Sequence, residues 1–199
     1  MDKLIITIGR QYGSGGKEIG QKLAERLGIP FYDKELLTAA AKKSGICEEM
    51  FAAHDEKPTN SFLYSLVVGG YAAGSTPINH KLFLAQFDAI KSLAKEGSCV
   101  ILGRCADYAL EGEKNLVNVF IHADISYRVR RGIATYQLDP DKAKDIIQKT
   151  DKGRASYYNF YSGKKWGQAD SYDLCINSAK TGIDGAVDMI LDFVDRVKK

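Results

Sequence analysis

Read for the period of its hydrophobic positions, the chain alternates between two kinds of segment. Leu4-Ile5-Ile6-Thr7-Ile8 is a nearly unbroken β-branched run, the pattern of a strand covered on both faces. After a glycine-rich stretch, Ile19, Leu23, Ala24 and Leu27 recur at helical spacing until Gly28, a residue suited to stopping a helix. Pro30-Phe31-Tyr32 predicts a brief second strand, and a helix follows over Leu36 to Lys43 with Asp33 placed to cap it. Leu82, Leu84, Phe87, Ile90, Leu93 and Ala94 give a later helix its apolar face. Ser98 to Leu102 and Val117 to Ile121 are further buried-strand runs, the second followed by a basic helix from about Ser126 to Tyr136. Asp139-Pro140-Asp141 opens another helix, which runs through Ile146 and Ile147 into Arg154 to Tyr161. Tyr172 to Ile176 is the last strand, and Ile183, Val187, Ile190, Leu191 and Val194 stripe the closing helix. Residues 45 to 78 give no such reading. Leu63 to Pro77 has no clear period and is expected to be an insertion or an acceptor-side segment.

Strands alternating with helices predict an α/β fold, a parallel sheet with helices on both faces. With 199 residues, 45% of them hydrophobic and 27% charged, the chain has material for one ordinary domain spanning 1–199. The net charge of +3 does not by itself point to nucleic acid or to an acidic membrane. Cys47, Cys99, Cys105 and Cys175 form no Cys-x-x-Cys pair and lie at no metal-ligand spacing to a histidine. Cys99 and Cys175 fall in or beside apolar runs and are expected to behave as small hydrophobes. The N-terminus enters a strand without the architecture of a signal peptide, and no apolar run approaches the roughly 20 residues of a membrane span. A cytoplasmic protein without membrane contact is the expectation.

The chemistry concentrates in Gln11-Tyr12-Gly13-Ser14-Gly15-Gly16-Lys17. A strand, a glycine-rich turn and a helix opening on a lysine form a phosphate cradle: loop N–H groups converge on phosphate oxygens and the lysine reaches the outer phosphates. Gly13, Gly15 and Gly16 let the backbone turn with positive φ and approach the ligand. Two positions depart from G-x-x-x-x-G-K-[ST]: Gln11 stands where the first glycine falls, and Glu18 follows Lys17 where a hydroxyl would bind Mg²⁺. Glu18 is therefore the candidate metal ligand, since a carboxylate can hold Mg²⁺ directly or through water.

Gly103-Arg104 ends a buried strand, which sets Arg104 at the carboxyl edge of the sheet, where open α/β sheets bind ligands. Arg128 and Arg131 share a helix face at i, i+3, either as converging anion ligands or as a solvated basic surface. Arg154 adds a further cation within an aromatic stretch from Tyr157 to Trp166. Interleaving of that kind also occurs in single-strand nucleic-acid binders, but the cradle favours small-molecule nucleotides, and nucleic acid is not the expected partner.

Taken together, Gly9 to Ile19, Phe31-Tyr32-Asp33, Gly103-Arg104-Cys105-Ala106-Asp107, Arg154-Ala155-Ser156-Tyr157-Tyr158 and Tyr172 to Asn177 resemble the cytidylate kinase-like proteins over nearly the whole length except about residues 45–78. The resemblance implies a three-layer P-loop kinase fold with a five-stranded parallel sheet and a small arginine-bearing lid, expected at about 128–166. It implies transfer of the γ-phosphoryl group of ATP, with Mg²⁺, to a nucleoside monophosphate such as CMP or dCMP. Lys17, Arg128, Arg131 and Arg154 are then the expected catalytic residues, Gln11 to Glu18 the ATP site, and Asp33, Arg104 and Asp107 the acceptor site. Cytidylate kinases carry Gly-Arg-Asp where this chain has Gly103-Arg104-Cys105. They also have a hydroxyl residue and a Tyr-Arg pair after the aspartate, where this chain has Lys34, Glu35, Leu36 and Leu37. Two alternatives follow from these departures: a kinase of another small metabolite, or a nucleotide-binding regulator without turnover. Asp33 itself has two readings, acceptor contact or helix cap.

Overall fold

The computed structural model describes residues 3–54, 56 and 78–197. Five strands form one sheet: β1 (Ile5–Arg10), β2 (Phe31–Tyr32), β3 (Cys99–Leu102), β4 (Leu116–His122) and β5 (Leu174–Asn177). Their order across the sheet is β2-β3-β1-β4-β5, and every neighbouring pair is parallel, with Ile6 facing Val100 on one side and Val117 on the other. Parallel strands need crossovers, so all five carboxyl ends emerge at one edge.

The helices are α1 (Gly16–Leu27), α2 (Glu35–Ser44), α3 (Glu48–His54), α4 (Ile78–Glu96), α5 (Ala106–Ala109), α6 (Ile125–Tyr136), α7 (Ala143–Ser162) and α8 (Ser178–Val197). Strand side chains alternate between two cores. Ile6, Ile8, Val100, Val119 and Ile121 pack with Ile19 and Leu23 of α1 and Val187 and Ile190 of α8. Ile5, Cys99 and Ile101 pack on the opposite face with Leu36 of α2, Ile90 of α4 and Ala106 of α5. Burial on both faces explains why β1 and β3 read as continuous apolar runs. Gly28 ends α1 at φ 64°, donating its N–H to the Glu25 carbonyl at 3.1 Å. Gly182 interrupts α8 with φ 69°.

Several expectations need correction. Asp33 does not cap α2: that helix has no side-chain cap, and the Asp33 carboxylate is turned to two cations described below. Asp139 Oδ1 accepts the Asp141 N–H at 3.0 Å, a turn that precedes α7, so the helix begins at Ala143 and not at the Asp-Pro-Asp segment. Cys99 is buried as expected, but Cys175 is exposed, because β5 is an edge strand and this side chain points outward. Of the 45–78 stretch, α3, Glu56 and the start of α4 belong to the described structure; the aperiodic part from Leu63 to Pro77 lies outside the described residues. Among the described residues no helix is long and apolar enough to cross a membrane.

Candidate active site

A cleft of about 830 Å³ opens at the carboxyl edge of the sheet. Its floor is the loop between β1 and α1. Gly13 and Gly15 stand at φ 79° and 83°, and a Cβ at Gly13 would lie 2.7 Å from the Arg128 carbonyl oxygen. A Cβ on Gly16 would meet Arg10 Cβ at 2.5 Å. The loop is thus closed to side chains from below and presents backbone above. It is also tied down. The Gln11 N–H donates to the Ile121 carbonyl at 3.0 Å, and Gln11 Oε1 accepts the Ala123 N–H at 3.1 Å. Tyr12 donates its N–H to Asp151 at 2.7 Å, and the Ser178 hydroxyl reaches the Ser14 carbonyl at 2.6 Å. Gln11, which replaces a glycine of the usual motif, therefore anchors the loop to the end of β4. The N–H groups of Gly16, Lys17 and Glu18 begin α1, where no carbonyl four residues back lies in the helix to accept them, and the helix dipole there favours an anion.

Lys17 is half-exposed and its Nζ lies 2.7 Å from Asp33 Oδ2. Asp33 Oδ1 accepts from Arg104 Nη1 at 3.2 Å, and Arg104 is almost fully buried. Burial alone would raise the Asp33 pKa, but the Lys17 hydrogen bond and the Arg104 charge outweigh it and hold the carboxyl below its usual range. Gly103, Arg104 and Cys105 all have positive φ, at 70°, 56° and 54°. Two non-glycine residues in the left-handed region store strain, and the turn they make brings Arg104 back under the cleft.

A second cluster adjoins the first. Glu56 Oε1 accepts from Arg10 Nη1 at 2.6 Å and from the Arg104 N–H at 3.1 Å, while Glu56 Oε2 accepts from Arg154 Nε at 3.0 Å. Burial would raise the Glu56 pKa, but the Arg10 and Arg154 guanidiniums pull it far below the carboxylate range. Arg154 is itself pushed down, by burial first and then by Arg10. Its guanidinium also lies over the Tyr12 ring, 5.7 Å from the centroid.

Arg128, Arg131 and Arg154 do not meet at one point. Arg128 is buried beneath the loop, donating from Nε to the Ala123 carbonyl at 2.9 Å and pairing with Asp151. Arg131 pairs with Glu18. Arg131 Nε is nevertheless buried without a hydrogen-bond partner, and a Cβ built on Gly15 would lie 3.3 Å from it. Arg154 alone of the three lines the cleft. Asp107 is placed elsewhere: it accepts the Tyr158 hydroxyl at 2.6 Å in a small pocket behind the Arg104 turn, and burial raises its pKa. Arg10, Glu56 and Asp151 were not singled out from the sequence. Arg10 lies within the Gly9 to Ile19 motif, but nothing in its spacing tells it from a surface cation.

Residues 5–180 match the cytidylate kinase-like family. The chain belongs to that family. Among curated relatives of this cytidylate kinase-like protein, the cytidylate kinase of Pyrococcus horikoshii is 26% identical, the match covering 98% of this chain and 91% of that protein. The cytidylate kinase of Methanocaldococcus jannaschii is 24% identical, over 98% of this chain and 100% of that one. An uncharacterized protein from Eubacterium ventriosum superimposes with a TM-score of 0.72 at 31% identity, covering 97% and 99% of the two chains. A shikimate kinase from Bacteroides thetaiotaomicron, at a TM-score of 0.57 and 16% identity, covers 96% of this chain and 98% of its own. That last likeness concerns the fold alone, which is the three-layer α/β kinase fold.

Proposed function

We propose that this protein transfers the γ-phosphoryl group of ATP to a nucleoside monophosphate, with CMP or dCMP the first candidates. The family makes it a phosphotransferase of the kinase class. The observation carrying the finer reading is the cleft itself, where the glycine-rich loop, Lys17 and the Asp33–Arg104 pair line one cavity, Lys17 bonded directly to Asp33. Triphosphate fits the cradle because its glycines add no side chain to the loop, and Lys17 stands beside it at the opening of α1 and lines the same cleft. Mg²⁺ binds phosphate oxygens and waters with few protein ligands, and Glu18 would serve it only after leaving Arg131.

When bound, ATP supplies the phosphoryl group and Mg²⁺ offsets its charge. The protein's part is positioning and charge neutralisation. Loop N–H groups and Lys17 hold the donor phosphates. Asp33 orients Lys17 and, through Arg104, fixes the acceptor side. Arg154 approaches from α7, and closure over the cleft of the segment joining α6 and α7, residues 137–142, would exclude water from the transfer. All four cysteines are unpaired, in keeping with a reducing cytoplasm.

Product analysis of ATP-dependent reactions with CMP, dCMP, UMP and AMP tests this reading. CDP or dCDP formation is expected. A small hydroxylated metabolite phosphorylated in preference to all four would replace the acceptor assignment and leave the phosphotransferase in place.

A further inference from the structure

In the loop between β1 and α1, the partner that holds each carbonyl also sets where the next N–H points. A trans peptide carries its C=O and its N–H on opposite sides of one plane. The Gln11 carbonyl accepts from the Ser14 N–H at 3.3 Å and from the Ser14 hydroxyl at 2.8 Å. The Tyr12 N–H of that same peptide runs the other way, to Asp151 at 2.7 Å. One peptide pair further on, the Ser14 carbonyl accepts the Ser178 hydroxyl at 2.6 Å. Ser178 opens α8 directly after β5, and both serines are fully buried. Its hydroxyl also lies 3.2 Å from the His122 carbonyl, at the end of β4. The hydroxyl has one proton to donate, and the Ser14 carbonyl is the nearer acceptor.

The Gly15 N–H shares a peptide with the Ser14 carbonyl, so it is directed away from Ser178 and toward the cleft that Gly15 lines. Gly15 stands at φ 83°, and glycine accepts either sign of φ, so the residue itself does not stop this peptide from turning over. Turned over, the loop would present a carbonyl oxygen where a phosphate oxygen has to sit. We propose that Ser178 is a positioning residue for phosphate binding: its hydroxyl locks the Ser14–Gly15 peptide with the Gly15 N–H facing the cleft. This rests on the reading of the loop as the seat of the ATP phosphates. The lock comes from a residue 164 positions along the chain from Ser14, outside the glycine-rich segment it orients. Without the hydroxyl, the buried Ser14 carbonyl loses this donor, and the outward-facing carbonyl is no longer disfavoured.

The test is calorimetric titration of the full chain and of Ser178→Ala with Mg²⁺–ATP and with adenosine, beside a thermal melt. ATP should bind at least about fivefold more weakly to the variant, and adenosine, which has no phosphate, equally to both. If the wild-type chain binds no ATP, the ATP reading fails and takes the proposal with it. If the wild type binds ATP and a folded Ser178→Ala binds it equally well, the proposal alone is overturned. Equal losses for ATP and adenosine overturn it too, since they would mark general damage to the site. A second measurement needs no variant. In the wild-type chain, the Gly15 amide proton, followed by NMR, should move downfield on saturation with Mg²⁺–ATP as it gains a phosphate acceptor. A Gly15 amide that stays in place while its loop neighbours move would overturn the proposal whether or not the variant folds.

Discussion

Lys17 is the residue with the most direct part in the proposed chemistry, and its setting separates two roles. It is half-exposed and paired only through its tip with Asp33, so truncation should spare the core. We expect Lys17→Ala to lower kcat by about 10²–10³ with a thermal midpoint close to the wild type, measured by steady-state assay beside a melt. The carboxylates tie the site to pH. Asp33 and Glu56 both titrate below their usual range in the folded protein. The unfolded chain therefore binds more protons as pH falls through about 4, and stability fully present above that value is lost below it. Wild-type melting temperature should hold down to about pH 5 and drop steadily below it. Asp33→Asn should be less stable than wild type at pH 6 and should lose less on acidification, so that the gap closes in acid. A constant gap across that range would detach Asp33 from the ion pairs. Where each residue stands was only partly legible in the sequence. Gly13, Gly15, Gly16 and Lys17 declared themselves because a strand, a turn and a helix start fix where they stand. Asp33 did not, since capping and pairing need the same side chain and only tertiary neighbours decide between them.

Among the elements, the loop and the two helices behind it act as one unit. Arg128 supports the loop from below, and its partner Asp151 also accepts the Tyr12 N–H. Arg128→Ala would remove the guanidinium paired with Asp151, which is 13% exposed, a loss of about 3–5 kcal/mol of stability for a buried pair. Chemical denaturation should show that loss, whereas a solvated charge would give no more than about 0.5 kcal/mol. Arg131→Ala and Glu18→Ala remove the two halves of one pair, so their combined effect on kcat should be smaller than the sum of the single effects in free-energy terms. Additive losses would separate them. Spacing showed that Arg128 and Arg131 share a face of α6; it could not show that one meets Asp151 and the other Glu18. The strands were legible for a simpler reason. β1, β3 and β4 are covered on both sides and read as apolar runs, while β5 lies at the edge and Cys175 on it faces outward. Glu56 was hidden because the stretch around it has no period to read.

For the molecule as a whole, the parallel sheet gathers the ends of β1, β2 and β3 into one cleft, which holds the cradle, the Asp33–Arg104 pair and the Glu56 cluster side by side. The family makes the protein a phosphotransferase of the kinase class, and this grouping is where the proposed transfer would take place. The departures at Gln11 and Glu18 bear on the alternative of binding without turnover. Gln11 serves as an anchor to Ala123 and Glu18 as a partner of Arg131, so neither position lacks a role in a working cradle. The most direct test of the central claim is transfer of radioactive label from γ-labelled ATP to CMP in a single turnover. We expect labelled CDP to form with the wild-type chain at a rate at least about a hundredfold above that of Lys17→Ala. ATP bound by the wild-type chain with no label reaching CMP or any other nucleoside monophosphate would contradict the account.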